Sequence, residues 1–259
     1  MGESVAACNA CLVQRACSEG KFAEDRCTMA DGADKADDYG KGHRSRLRQR
    51  LLSSGGDTLL DHELVEYLLS LAIPRRDTKP LAKQLIAQYG SLSALFTADA
   101  ESLTRQAGMG ETSAAAIKIV QAAALRMLSE PVRELPILAS WQSLLDYLRA
   151  DMAHLTIERV RVLYLNSKNM LIRDEIASEG SLDQAAIYTR EVIRRSIDLG
   201  AAAIILVHNH PSGDSAPSRQ DINMTREIAD AGKKLGIIVH DHVIVGKDGI
   251  SSMRSAGLI

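Results

Sequence analysis

Two histidines, a serine and a carboxylate fall within fourteen residues in the stretch His208-Asn209-His210-Pro211-Ser212-Gly213-Asp214-Ser215-Ala216-Pro217-Ser218-Arg219-Gln220-Asp221. The apolar run before it, Ala201 to Val207, reads as a short strand without polar interruption, as suits the interior of an α/β sheet. Side chains two apart on a strand point to the same side, so His208 and His210 can present both imidazoles to one ion. Pro211 and Gly213 then turn the chain, and Asp221 can return as an anionic third ligand. Two histidines and one carboxylate, with a position left for water, make up a catalytic zinc site rather than a closed structural one. Zn²⁺ held this way lowers the pKa of water towards neutrality and makes it a nucleophile. Ser218-x-x-Asp221, just after Pro217, also reads as a helix start with Ser218 as N-cap. The two readings are compatible, because a helix start is a fixed platform for an inward-pointing carboxylate.

Elements able to position these groups surround the motif. After Glu130 the chain changes character, with Pro131 and Pro136 flanking a short connector. Trp141 to Leu148 predicts a helix with Leu144, Leu145 and Leu148 on one face. Arg159 to Asn166 alternates, placing Val160, Val162 and Tyr164 on one face of a strand. Met170 to Ala177 predicts a second strand across the Asn166-Ser167-Lys168-Asn169 turn, and Thr189 to Leu199 a helix closed by Gly200. Beyond the motif, Ser218 to Leu235 predicts a helix with Ile222, Thr225, Ala229 and Gly232 at helical spacing. Gly236 ends it, and Ile237 to Val245 gives a last strand. The pattern is an α/β domain of mixed sheet flanked by helices, over residues 137–259. His240 and His242 share a face of that last strand by spacing, but no third ligand stands beside them. They read as structural support rather than as a second metal site.

Residues 40–130 read as helical. Leu64, Tyr67, Leu68 and Leu71, then Leu81, Leu85 and Tyr89, recur as buried helix faces do. Pro74 and Pro80 break the runs, and Gly90 is a helix C-cap. Gly108-Met109-Gly110 resembles a helix-hairpin-helix turn, whose backbone N–H groups can face a phosphate. A tight turn that needs glycine for conformation alone explains the same residues. Lys41, Arg44, Arg46, Arg48 and Arg50 form a basic cluster, with Arg46 and Arg50 on one helix face and Arg44 and Arg48 on a neighbouring one. Residues 41–50 and 108–110 together support weak, non-specific, salt-dependent DNA binding. A solvated helix face is the plainer reading of the arginines, since no aromatic side chains interleave for base stacking.

Length and hydrophobic content, 259 residues and 46%, allow a real core in one or two domains. A net charge of −2 points to neither nucleic acid nor membrane. No apolar run of membrane-spanning length and no signal-peptide pattern stand in the sequence, so no membrane partner is expected and the expected address is cytoplasmic. All four cysteines, Cys8, Cys11, Cys17 and Cys27, lie in the first 27 residues. Disulfides do not suit a cytosolic protein, and only the first pair has zinc-like spacing. Residues 1–39 read as a flexible extension ending in a polar, acidic linker.

The string His-x-His-Pro-x6-Ser-x-x-Asp resembles the metal motif of the JAMM (JAB or MPN) metalloproteins, and HNHPSG followed by PSRQD resembles the RadC family in particular. TREVIRRSIDLGAAAIILVHNHPSG and DHVIVGKDGISS are similar to that family's body, and GHRSRLRQRLL, LVEYLLSLAIPRRDTKPLAKQL and AGMGETSAAAIK to its N-terminal region. The similarity covers roughly residues 40–259, with one departure at Thr189, where many relatives carry proline. It implies a cytidine-deaminase-like JAMM/MPN domain preceded by a small all-α domain. It also implies a metallopeptidase that uses Zn²⁺ to cleave a peptide or isopeptide bond in a protein or peptide substrate. The family's link to DNA repair implies an alternative, a non-catalytic or DNA-associated protein. Hydrolysis needs a general base that is not itself a ligand, and Glu158 and Glu175 both open to that role. The JAMM pattern, a glutamate at the start of an early strand, favours Glu158. Ser218 then hydrogen-bonds the developing oxyanion.

Overall fold

The computed structural model describes residues 35–180 and 188–259, with side chains described from residue 42 onwards. The four cysteines, the side chain of Lys41 and most of the segment after β2 therefore lie outside the described residues. Contacts divide the chain into two units, Met1–His43 and Arg44–Ile259. The first is described from Lys35, where helix α1 (Lys35–Ser54) begins. The second holds five further helices before the α/β part: α2 (Asp61–Ala72), α3 (Lys79–Tyr89), α4 (Leu92–Thr97), α5 (Ala100–Thr104) and α6 (Glu111–Glu134).

Helix α1 starts at Lys35, inside the stretch read as a linker; the later helices begin within the segments that the sequence reads as helical. Gly90 caps α3 in the left-handed conformation at φ 80°, where a residue without Cβ is at no steric cost. The buried face of α2 differs from expectation. Val65 and Leu69 are fully buried, while Leu71 is exposed. The four leucine-like positions formed a stripe, but the face that meets Leu85, Leu95 and Ile117 runs one position away from it. Pro131 is a further correction, because it lies inside α6 rather than marking the start of the connector. It falls in the last turn, where the missing N–H leaves only the carbonyl of solvent-facing Met127 without a helical partner. Next to it, Val132 is buried in the α/β core with Ile137, Leu144 and Leu148. Ala114 and Ile117, earlier on the same helix, pack in the helical core. One continuous helix thus serves both cores, across the boundary expected at 130.

The α/β part comprises α7 (Trp141–Met152), β1 (Glu158–Leu165), β2 (Leu171–Gly180), α8 (Thr189–Asp198), β3 (Ala203–Asn209), α9 (Arg219–Lys233), β4 (Ile238–Val245) and β5 (Ile250–Ser252). The sheet is mixed, in the order β2-β1-β3-β4-β5. Only β3 and β4 are parallel; the other pairs are antiparallel. Helix α7 covers one face through Leu144, Leu148 and Met152. Helices α8 and α9 cover the other through Val192, Ile193 and Ile228. Two covered faces explain why β1 is buried on both sides rather than one. Arg161, the polar residue behind its alternation, is itself buried, paired with Asp151 and Asp174 and donating to Tyr147 Oη at 2.9 Å. Strand β5 is an addition to the predicted set; at three residues it is too short to show a period.

Candidate metal centre

Strand β3 begins and ends two residues later than its hydropathy predicts, so His208 and Asn209 belong to it and all seven residues are buried. Asn209 supplies the reason. Its Nδ2 donates to Ile157 O at 3.0 Å and its Oδ1 accepts from Arg159 N at 2.9 Å. A side-chain amide thus replaces a backbone pair and fastens the end of β3 to the start of β1, on both sides of Glu158. Sequence reasoning missed this residue; an Asn between two candidate ligands gives no signal by spacing alone.

His210 follows the strand but keeps its ladder bond, its N donating to Val245 O at 2.9 Å. Gly213, at φ 95°, then folds the loop back so that its N donates to His210 O. The loop reaches α9 through Ser218, whose Oγ accepts from Asp221 N at 3.1 Å while Asp221 Oδ2 accepts from Ser218 N at 2.8 Å. This reciprocal cap holds the Asp221 carboxylate in the first turn, where the helix dipole favours negative charge.

These elements bring His208, His210 and Asp221 together, with one ligand atom from each all within 4.8 Å of one another. His208 Nε2 and His210 Nε2 are 2.8 Å apart. Asp221 Oδ1 is 3.4 Å from the first and Oδ2 3.7 Å from the second. The outer nitrogen of each ring has another partner: His210 Nδ1 donates to Asp214 O at 2.7 Å, and His208 Nδ1 meets His242 Nε2 at 2.7 Å. Two imidazole nitrogens and a carboxylate aimed at one point fit a divalent cation. Burial pushes His208 down to about 4, so it is neutral at pH 7 and able to ligate. Burial works against the Asp221 carboxylate, yet the neighbouring His210 imidazole, the hydrogen bond from Ser218 N and, in acid, the charge of His208 hold it well below the usual range.

Glu158 stands at the head of β1, half-buried. Burial raises its pKa, the positive potential of His210 lowers it, and Asp221 raises it again. It is close enough to sense two of the three candidate ligands without being one of them. Glu175 sits on β2 opposite Val162, where Arg195 Nε donates to it at 2.8 Å and lowers its pKa.

His240 and His242 do not share surroundings as their spacing predicts. The β3–β4 register passes from Val239 to Asp241 and leaves His240 as a bulge. His240 turns to Asn169 Oδ1 at 2.7 Å, while His242 packs on His208.

In the helical part, two of the basic residues serve the fold. Arg44 donates to the carbonyls of Pro74 and Arg76. Arg50 donates to Glu63 and to Thr58 O. Arg46 and Arg48 are exposed. In the glycine turn, Met109 N already donates to Gln106 O and Gly110 N to Ser113 Oγ. The guanidinium of Arg76 lies beside Gly108.

The chain matches two known families: the RadC-like JAB domain over residues 138–258 and the UPF0758 N-terminal family over residues 42–115. A UPF0758 protein of Rhodobacter capsulatus is 46% identical over 213 residues, which span 82% of this chain and 100% of that relative. The helical part, the mixed sheet and the His-His-Asp cluster thus fall where these matches fall, and the chain belongs to the UPF0758 family of proteins with a RadC-like JAB domain.

Proposed function

We propose that this protein is a zinc-dependent hydrolase that cleaves a peptide or isopeptide bond in a protein or peptide substrate. The observation that supports the reading is the convergence of His208, His210 and Asp221, with Glu158 beside them and outside the ligand set. When bound, the ion supplies Lewis acidity that makes water nucleophilic at neutral pH and polarises a carbonyl. Glu158 accepts the proton of the attacking water and delivers it to the leaving amine as the C–N bond breaks. Its half-burial, which keeps the proton affinity above that of a surface glutamate, suits both halves of that transfer. Ser218 Oγ already accepts from Asp221 N, so its own proton is free to donate to the carbonyl oxygen as negative charge develops there.

The test uses the full-length chain with the four cysteines replaced by serine, so that thiolates cannot contribute metal. Elemental analysis is expected to find one zinc per chain, absent from a His208→Ala, His210→Ala double variant. A screen of peptide and isopeptide substrates is expected to show turnover only in the metallated protein. Unchanged zinc in the double variant, or silence of a fully metallated wild type across the screen, overturns the reading.

A second reading, a non-catalytic or DNA-associated protein, has one observation in its favour. The guanidinium of Arg76 stands against the Gly108 turn, so an exposed cation borders the loop that resembles a phosphate-binding hairpin.

A further inference from the structure

We propose that His242 and Thr225 are positioning residues of the metal centre: together they form a hydrogen-bond relay that fixes which nitrogen of His208 faces the ion. The inference rests on the metal-centre reading above and adds to it two residues that are not ligands.

The relay has three links. His208 Nδ1 and His242 Nε2 are 2.7 Å apart, His242 Nδ1 and Thr225 Oγ1 are 2.6 Å apart, and Thr225 Oγ1 is 2.6 Å from Asp221 O. All three side chains are buried, at 1% exposure or less, so water cannot substitute for a missing partner. Imidazole geometry alone leaves the direction of the chain open, because each neutral ring has one N–H and one lone pair. The last link closes the question. A backbone carbonyl can only accept, so Thr225 must give its single proton to Asp221 O. Its other near neighbour, Met253 Sδ at 3.7 Å, is also only an acceptor. Thr225 Oγ1 is then an acceptor towards His242, which must carry its proton on Nδ1 and its lone pair on Nε2. That lone pair in turn requires a proton on His208 Nδ1. The lone pair of His208 is left on Nε2, the atom that faces His210 and Asp221.

The same chain joins the two elements that supply ligands. His208 lies on β3 and His242 on the parallel neighbour β4, paired with Leu206. Thr225 is on α9, one turn beyond Asp221, and its bond ends on the main chain of that ligand. A shift of α9 relative to the sheet would therefore break the Thr225–His242 link as it moved the carboxylate. The residue types follow from the roles. The middle position needs a donor and an acceptor on opposite sides of one rigid ring. The end position needs a hydroxyl that reaches the carbonyl four residues earlier.

The first test reads the relay without any reaction. Ring ¹⁵N spectra of metal-free, full-length protein, with His208 and His242 assigned by single substitution of the other histidines, are expected to show the Nδ1–H tautomer for both. A proton on Nε2 of a neutral His208 overturns the proposal. The second test compares Thr225→Val, which keeps the shape and loses the hydroxyl, with Thr225→Ser, which keeps the hydroxyl. Zinc affinity, measured by competition with a chelator, is expected to fall about 10–100-fold in Thr225→Val and to be largely kept in Thr225→Ser. Equal affinity in all three proteins overturns it. If Thr225→Val does not fold, the wild-type tautomers decide. The wrong tautomer in a protein that still binds zinc sinks the relay alone. The expected tautomers in a protein that takes up no zinc sink the metal-centre reading and the relay's purpose with it.

Discussion

Glu158 and Glu175 stand on adjacent strands, and the difference between them comes from what surrounds each. Glu175 is held by Arg195 and lies near Arg173, so its carboxylate is stabilised as an anion on the surface of β2. Among the described residues Glu158 has no such partner; burial raises its pKa, and His210 and Asp221 are the charges it senses. The residues on either side of it are fixed by Asn209. A general base works best with a proton affinity near the operating pH, so Glu158 is the better placed of the two. Glu158→Gln is expected to leave the fold and zinc content intact and to lower turnover by about 10²–10⁴-fold. Glu175→Gln is expected to cost less than tenfold, because only a surface ion pair worth roughly 1 kcal/mol or less is lost. Turnover numbers for the two variants on one substrate check this, and equal losses would remove Glu158 from the base role. The acid limb supplies a further reading from the same variants. The base form of Glu158 exists only above its raised pKa, so wild-type activity is expected to decline as pH falls through it, and the residual activity of Glu158→Gln to lack that limb.

At the scale of elements, the loop that carries the candidate ligands is held by its own bonds and also against the β4–β5 hairpin. Ser215 Oγ and Ser251 Oγ are 2.9 Å apart, and Asp248 N donates to Gly213 O at 3.3 Å. A Cβ on Gly246 would overlap the Gly213 carbonyl and approach Ser215 N to 2.9 Å. Gly246 has no unusual backbone conformation; space alone demands glycine there. Gly246→Ala is therefore expected to push the loop outward, weakening zinc binding and lowering stability by about 1–3 kcal/mol. Chelator competition and denaturant titration measure the two effects, and a variant with wild-type zinc affinity would show that the loop yields without moving His210. This contact illustrates what the sequence could and could not reveal. The motif from His208 to Asp221 was legible because strand period, turn residues and helix cap each have a short-range signature. Gly246 and Asn209 act across sheet neighbours and have none, and the spacing of His242 pointed to a supporting role without showing its partners. The bulge at His240 was hidden for the same reason, since a period of two cannot register one extra residue. Boundaries also moved wherever tertiary bonds outweighed hydropathy, as at the end of β3 and through Pro131.

For the molecule as a whole, the net charge of −2 gives no general attraction to nucleic acid, so any DNA binding must come from local cations. The basic cluster over residues 41–50 falls on two neighbouring helix faces in sequence, and the fold divides it along another line. Arg44 ties α1 to the carbonyls beyond α2, and Arg50 ties it to Glu63. Removing either would loosen the helical core and confuse a binding assay with unfolding. Arg46 and Arg48 remain exposed, as do Arg75 and Arg76, the last beside the Gly108 turn. These four are the arginines to replace. Each guanidinium that displaces a counterion from duplex DNA contributes about 0.9 to the slope of log affinity against log salt. If the helical part binds DNA, full-length protein is expected to do so weakly, without sequence preference, and with a steep salt dependence. The Arg46→Ala, Arg48→Ala, Arg75→Ala, Arg76→Ala variant is then expected to keep its melting transition while that slope falls by about 2–4. Fluorescence anisotropy with a labelled duplex over a salt series gives the slope. No binding at low salt, or a slope untouched by the four substitutions, would leave the helical part as a surface for protein rather than nucleic acid.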